Sequence, residues 1–445
     1  MLARPRTVLA LLTVCVGLSI DSARGKDGEH EEQAKAGKKR LTLESVTEAV
    51  LRNNPGVKEA LKKWNAMRER IPQMEAWEDP KLNVGVRVAR FVPVSPNGFM
   101  DQMVGIEQML PLSGKNRVRA RIAAAEALAA FEDARRQELD AIMKARAAFF
   151  QLLNAYGQLE LNQKTLDLLK QIADSSVARY EAGTETQANV LATEIEAGRM
   201  REARRDLERK LSEAETQVNV LMNRDAFEPV EQPLGSKVEP VALGIAELRS
   251  LALANRPEVR MAQSRIEAEK AKLQLALREK YPDPSLTLSG QRYNAASQVV
   301  SEIDLGISIP LPWFNRKKYA AQEREASNGI EAAQYALDRA QKEAIGMLRD
   351  QLRKIETAQH HLELFRDKLL PQTQQAFEAN RGSYETGKAT FLEWIGSQRS
   401  LREMQAMELE HRTDYQMALA ELEAVVGAEL RRTSVSQSKT KGKSK

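Results

Sequence analysis

Apolar positions along this chain change rhythm in a fixed order, and the order runs twice. From Thr42 to Trp77, and again from Gly244 to Lys280, they recur at helical spacing; each stretch predicts a helix of about 35 residues, with Thr42 a fair N-cap for the first. Prolines then close the helical pattern, because proline lacks an amide donor and disfavours helical geometry before it. Period-2 alternation follows. KLNVGVRVAR (81–90) puts Leu82, Val84, Val86 and Val88 on one face, and MDQMVGIEQML (100–110) continues more loosely. SLTLSGQRY (285–293) aligns Leu286 with Leu288, and VVSEIDLGISI (299–309) aligns Ile303, Leu305, Ile307 and Ile309. VPVSPNGF (92–99) and NAASQ (294–298) supply turn residues, so each pair of strands is expected to form a hairpin, at 81–110 and 285–309.

Helical spacing then resumes for much longer. Residues 118–181 would extend about 95 Å at 1.5 Å per residue, and 317–382 are similar. Ala145, Leu152, Leu159, Leu166, Ala173 and Tyr180 form a seven-residue row, with Ile142, Phe149 and Tyr156 beside it. Leu348, Ile355, Leu362 and Leu369 repeat the pattern, which predicts coiled-coil packing of core residues with no cofactor role. Two short stretches interrupt these helices: RYEAGTETQANVL (179–191) and SYETGKATFLEWI (383–395), sharing Tyr180/Tyr384 and Gly183/Gly387. Glycine tolerates the conformation needed where a helix ends. Each break is therefore expected at the tip of a helical hairpin, 118–223 and 317–426, with both tips at the end of the molecule opposite the strands.

The halves align throughout. Asn54-Pro55-Gly56-Val57 matches Arg256-Pro257-Glu258-Val259, Asp79-Pro80 matches Asp283-Pro284, and Pro111–Arg117 matches Pro310–Arg316. Offsets of 202, 204 and 199, then 204 at the tips, keep one order, which marks a tandem repeat over 41–230 and 241–428. The fold class expected is mainly α with a small β part.

Composition narrows the class. Aromatics are 5% and charged residues 29% of 445, a thin supply of core for a large globule and a suitable one for long helices with narrow seams. MLARPRTVLALLTVCVGLSIDSARG (1–25) has the cationic start, apolar run and small-residue end of a signal peptide, and it holds Cys15, the single cysteine. A lipid-anchored reading is weak, because Val14 is not small. Residues 26–40 read as a flexible segment. The net charge of +5 is carried by the tail RRTSVSQSKTKGKSK (431–445), with six cations and no acid, read as a disordered basic end rather than a nucleic-acid site. No later stretch reaches 18 apolar residues, so an exported chain of this kind is soluble or spans a membrane as β-structure.

Four strands of about ten residues have bilayer-crossing length but cannot close a barrel, and open edges are not tolerated in lipid. Two copies would give eight strands and a filled interior; three give twelve, enough to leave a lumen.

With these features in place, the chain resembles an outer membrane factor of the TolC type. LTLESVTEAVLRNNPGV (41–57) is similar to that family's opening segment, and Arg179-Tyr180-Glu181-Ala182-Gly183 and Arg381-Gly382-Ser383-Tyr384-Glu385-Thr386-Gly387 to its tip motifs. The resemblance implies a homotrimer with a twelve-stranded barrel in the lipid of a Gram-negative outer membrane and a long periplasmic α-barrel. It further implies tips (Arg179, Tyr180, Gly183, Arg381, Tyr384, Gly387) that dock a periplasmic adaptor serving an inner-membrane pump. The family carries acidic gate residues six positions after the tip glycine; here these are Glu393 and, departing from the pattern, Asn189. Glu185 and Lys388 flank the glycines and offer surface ion pairs instead. QMLPLSGKNR (108–117) resembles the heavy-metal efflux branch, which would make the pump a metal-exporting one of the RND type.

Met100, Met103 and Met109 cluster near the second strand, but methionine more often packs than ligates, and adjacent His360 and His361 diverge on a helix. No metal site, cofactor or nucleic-acid partner is assigned. HExxH, GxSxG and GxxxxGK[ST] are absent, so an enzyme is not expected. A periplasmic adaptor and an exported structural coiled coil remain as alternatives; two hairpins and two strand pairs argue against the adaptor.

Overall fold

The computed structural model describes residues 40–86, 101–235, 244–294 and 299–430. The expected signal peptide, the basic tail, Val88, Met100 and most of both strand turns lie outside the described residues.

The first helical stretch is three helices, α1 (Leu43–Asn53), α2 (Pro55–Arg68) and α3 (Arg70–Glu75), where one from Thr42 to Trp77 was expected. Thr42 does cap α1, exchanging bonds with Ser45: its hydroxyl accepts from the Ser45 amide at 3.2 Å. The break comes at Asn54, whose ψ of 125° leaves the helix as Pro55 requires, and whose Oδ1 accepts from the Gly56 amide at 2.9 Å. After β1 (Lys81–Val86), β2 (Gln102–Met109), α4 (Lys115–Glu181) and α5 (Gln187–Leu221), the second repeat breaks at the same place. Arg256 sits at ψ 124° between α6 (Ile245–Asn255) and α7 (Pro257–Arg278), so the expected helix Gly244–Lys280 is two. β3 (Ser285–Asn294), β4 (Val299–Ser308), a 3-10 turn (Pro312–Asn315), α8 (Arg316–Leu364), a π turn (Phe365–Leu369), α9 (Leu370–Glu385) and α10 (Phe391–Val426) complete the chain.

The π turn corrects the expectation of one helix over 317–382. Pro371, in the first turn of α9, cannot donate to the preceding turn, and the helix widens just before it. One extra residue shifts the buried row. Leu348, Ile355 and Leu362 are buried at intervals of seven, Leu369 is only half-buried, and the next fully buried aromatic is Phe377, one position beyond the strict heptad.

On α4 the expected row also changes. Ala145 and Leu152 are buried, but Leu159, Leu166 and Ala173 are half-buried and Tyr180 is exposed. Between Ala141 and Leu152, helix α4 is covered by Val46, Val50 and Val57 of α1 and α2 and by Ala214 and Val218 of α5. Farther on that extra cover is gone. The continuously buried row is Ala148, Ala155, Asn162, Leu169 and Ser176, two of whose members are polar; Asn162 Nδ2 donates to the Met200 carbonyl at 3.1 Å.

The four strands form one antiparallel sheet in the order β1-β2-β3-β4, so β1 and β4 are edges. Its register sorts the two faces. Leu82 stands opposite Ile106, Ile106 opposite Leu288, and Leu288 opposite Leu305; Val84 stands opposite Val104. Leu82, Val84, Ile303, Leu305 and Ile307 of this face are 66–82% exposed, a continuous apolar surface. The opposite face carries Asn83, Glu107, Thr287, Gln291, Glu302 and Asp304. One face with a central apolar band and the other largely polar is the pattern of a strand set with lipid outside and water inside. Among the described residues no helix is long and apolar enough to cross a membrane.

Candidate functional site: the joined helix tips

Both hairpin tips turn at a glycine in the left-handed region, Gly183 at φ 73° and Gly387 at φ 74°. Each glycine amide returns to the helix, to the Tyr180 carbonyl at 2.9 Å and the Tyr384 carbonyl at 3.0 Å. The next helix then starts with Thr186 or Thr390 at its N-cap. The equivalence ends with the side chains.

Tyr384 is packed where Tyr180 is exposed. Its ring stacks on Trp394 at 5.0 Å and meets Phe391 edge-on at 5.7 Å, while the Arg179 guanidinium lies over it at 5.0 Å. Its hydroxyl donates to Glu185 Oε2, and Asn189 Nδ2 donates to Oε1 of the same carboxylate. The chain Arg179–Tyr384–Glu185–Asn189 thus joins the first hairpin to the second. Burial, then the bond to Glu185, pushes the Tyr384 phenol up to about 12. Burial alone would raise the Glu185 carboxyl, but bonds from Tyr384, Asn189 and the Thr186 backbone, with the Arg179 charge, hold it below its ordinary value.

Glu393 is exposed at the third position of α10. Its carboxylate accepts from the Thr390 amide at 2.7 Å and the Thr390 hydroxyl at 3.0 Å, forming a capping box that holds it below its ordinary carboxyl value. Arg381 pairs with Glu385 at 3.1 Å on the second tip's surface. Glu185 makes no surface ion pair with Lys388; it is the hub of the junction, and the Lys388 amide closes the tip on the Ser383 carbonyl at 2.8 Å.

A second clasp lies behind this one. Arg399 of α10 reaches the buried Glu196 of α5 through Nη2 at 2.7 Å and Nε at 3.3 Å. Phe377, Phe391, Trp394 and Ile395 pack with Leu169, Ile172 and Met200 around it. Phe391, Trp394 and Ile395 end the second tip stretch, but Glu196, Arg399 and Phe377 lie outside both stretches, and only the aromatic density of FLEW (391–394) could have drawn attention to this cluster.

The Ser113–Lys115 stretch is a structural staple. The Ser113 amide and hydroxyl donate to the two oxygens of Asp283 at 2.8 and 2.9 Å, Lys115 Nζ reaches Asp283 and the Tyr281 carbonyl, each at 2.8 Å, and Arg278 donates to the Ser113 carbonyl at 2.9 Å. The stretch therefore has a folding role whatever the cargo. Met103 and Met109 share a strand face six residues apart, about 20 Å along a strand, and do not converge. His361 stacks nearer to His411, at 5.0 Å, than to His360, at 6.2 Å.

With this geometry in view, comparison with known proteins is direct. A family model described as outer membrane efflux protein matches residues 46–224 and 248–428. The cobalt-zinc-cadmium resistance protein CzcC of Cupriavidus metallidurans is 22% identical over 366 residues, covering 81% of this chain and 84% of that protein. Among solved structures, the fold is similar to CusC, described for its folding and transmembrane channel formation, with TM-score 0.74, 17% identity, and 87% and 92% of the two chains covered. It is also similar to the open-state MtrE outer membrane channel of Neisseria gonorrhoeae, with TM-score 0.71, 17% identity, and 87% and 89% covered.

Proposed function

The chain belongs to the outer membrane efflux protein family, and on that premise we propose that it is the passive exit duct of a tripartite efflux system, closed as a homotrimer. It is an outer membrane channel of a Gram-negative cell, with its α-barrel in the periplasm, and it conducts rather than catalyses. One observation carries the trimer: a four-stranded sheet, apolar and exposed over one face, polar on the other, and unpaired at both edges. Open edges are not tolerated in lipid, and twelve strands enclose a lumen. Residues 41–230 and 241–428 are then two repeats that each supply one strand hairpin and one helical hairpin.

The tips are the end that meets a periplasmic adaptor, which links the duct to an inner-membrane pump. Exposed Tyr180, Arg381 and the two glycine turns face outward there and form the docking rim. The mouth is latched by Arg179–Tyr384–Glu185–Asn189, which spans the two hairpins, and Glu393 contributes negative charge beside it. Similarity to a metal-resistance relative supports a metal ion as cargo. Purification in mild detergent, native mass measurement and planar-bilayer recording test the reading. Three copies per particle and discrete conductance steps are expected; a monomer that conducts nothing overturns it.

A further inference from the structure

The two repeats allow the interface between copies to be read from an interface inside one copy. In the first hairpin Leu82 faces Ile106, and in the second Leu286 faces Ile307. First strands are therefore displaced by 204 positions (286 − 82) and second strands by 201 (307 − 106). This corrects the offset of 199 that matching Pro111 with Pro310 suggested: the structural partner of Pro111 is Pro312. The corrected offset places Lys115 on Arg316, each the first residue of its long helix, α4 and α8. The offset of first strands places Asp79 on Asp283 and Trp77 on Tyr281.

Inside the chain, β2 pairs with β3, and the residues just past that junction are bolted by Lys115 to Asp283 and to the Tyr281 carbonyl. Both side chains of that pair are nearly buried, at 13% and 10% exposed. The equivalent junction would be β4 against β1 of another copy. Its equivalent bolt is Arg316 with Asp79, and both are exposed and make no ion pair among the described residues. We propose that β4 joins β1 of the next copy with Ile307 opposite Val84 and Ser308 opposite Asn83, bolted by Arg316 on Asp79 and on the Trp77 carbonyl of that copy. This rests on the reading that the chain closes its barrel with copies of itself, and it names the register and the charge pair.

Three features agree with it. Carrying the β2–β3 register across by the two offsets puts Ile307 on Val84 and Leu305 on Val86, so these apolar residues of the two edge strands share the lipid face. The charges are complementary in the same sense at both junctions, cation on the long helix and carboxylate before the strand. Phe314 replaces Ser113, which removes the hydroxyl bond, and a forked guanidinium in place of an ammonium restores a second donor.

The test is cysteine cross-linking of the full chain, whose own single cysteine is Cys15. Asn83→Cys with Ser308→Cys should give oxidised dimers and trimers on a denaturing gel, because directly opposed β-carbons lie about 4.5–5.5 Å apart. Asn83→Cys with Asp304→Cys, displaced by about 13 Å on the same face, should give at least tenfold less. Asp79→Arg and Arg316→Asp should each lower the trimer fraction on dilution in detergent severalfold, and the double reversal should restore it to within twofold of the parent. A native trimer that cross-links only through the control pair, or through neither, overturns the register while the channel reading stands. A double reversal no better than the singles overturns the bolt. A monomer in every variant overturns both this proposal and the trimer reading beneath it.

Discussion

Tyr384→Phe removes one hydroxyl from the junction between the tips and leaves the ring where it is, stacked on Trp394 and beneath Arg179. What is lost is the hydrogen bond to the Glu185 carboxylate, which spans the two hairpins at the tips beside the Arg179–Tyr384 contact. A hydrogen bond to a charged group contributes about 1.5–3 kcal/mol. Both partners are partly in contact with water, so screening trims this to roughly 1–2 kcal/mol. That is a shift of about 5- to 30-fold in the closed-to-open ratio at each latch. Single-channel recording in planar bilayers reads the open fraction, and entry of a large antibiotic that an intact outer membrane excludes reads it in cells. Tyr384→Phe and Glu185→Gln should both raise it. Glu393→Gln keeps a capping box, since glutamine serves the third position as well, and should change cation preference without changing the open fraction. An open fraction within twofold of the parent for both Tyr384→Phe and Glu185→Gln would refute the latch.

The latch also has a pH signature. Glu185 is held below its ordinary carboxyl value, so its contribution is full above about pH 4.5 and is lost as pH falls through the folded value. Tyr384 is raised, so its contribution is full below about pH 10 and is lost as pH rises through about 12. Between those limits neither group changes charge, and the closed fraction should be flat from pH 5.5 to 9.

Lys115→Met should destabilise the chain by about 2–4 kcal/mol in denaturant unfolding, because it strands the Asp283 carboxylate, 10% exposed, with only the Ser113 bonds; Asp283→Asn in the same background should recover part of the loss. Gly183→Ala and Gly387→Ala should each cost about 1–2 kcal/mol of local tip stability, read by hydrogen exchange, since both glycines hold a left-handed φ and a β-carbon there would meet nothing within 4 Å.

How legible this was depends on the period of each signal. Strand alternation survives because lipid and water impose opposite demands on neighbouring residues, so Leu82, Val84 and Ile303–Ile307 announce their face without a core to pack against. Tip glycines survive because only a left-handed turn ends the helix there. The helical seams were read less well. Alanines and polar residues fill the buried row of α4, and Asn162 is hidden from any apolar count although it is buried, its Nδ2 donating to a carbonyl of α5. The breaks at Asn54-Pro55 and Arg256-Pro257 fall inside continuous helical periodicity, because proline at the first helical position starts a helix as readily as it ends one.

The tip motifs misled in an instructive way. Tyr180 and Tyr384 occupy the same place in two repeats, yet Tyr384 takes up Glu185 and Arg179 while Tyr180 stays in solvent. Equivalence in sequence therefore fixed the backbone turn and left the side-chain partners to the asymmetry between Asn189 and Glu393. With a glutamate at 189 a second carboxylate would stand against Glu185, and like charges that close repel. Asparagine there donates to Glu185, which leaves that carboxylate free to hold the Tyr384 hydroxyl. Asparagine at 189 is what makes the cross-hairpin network chemically available, and Glu393 instead caps the start of its own helix.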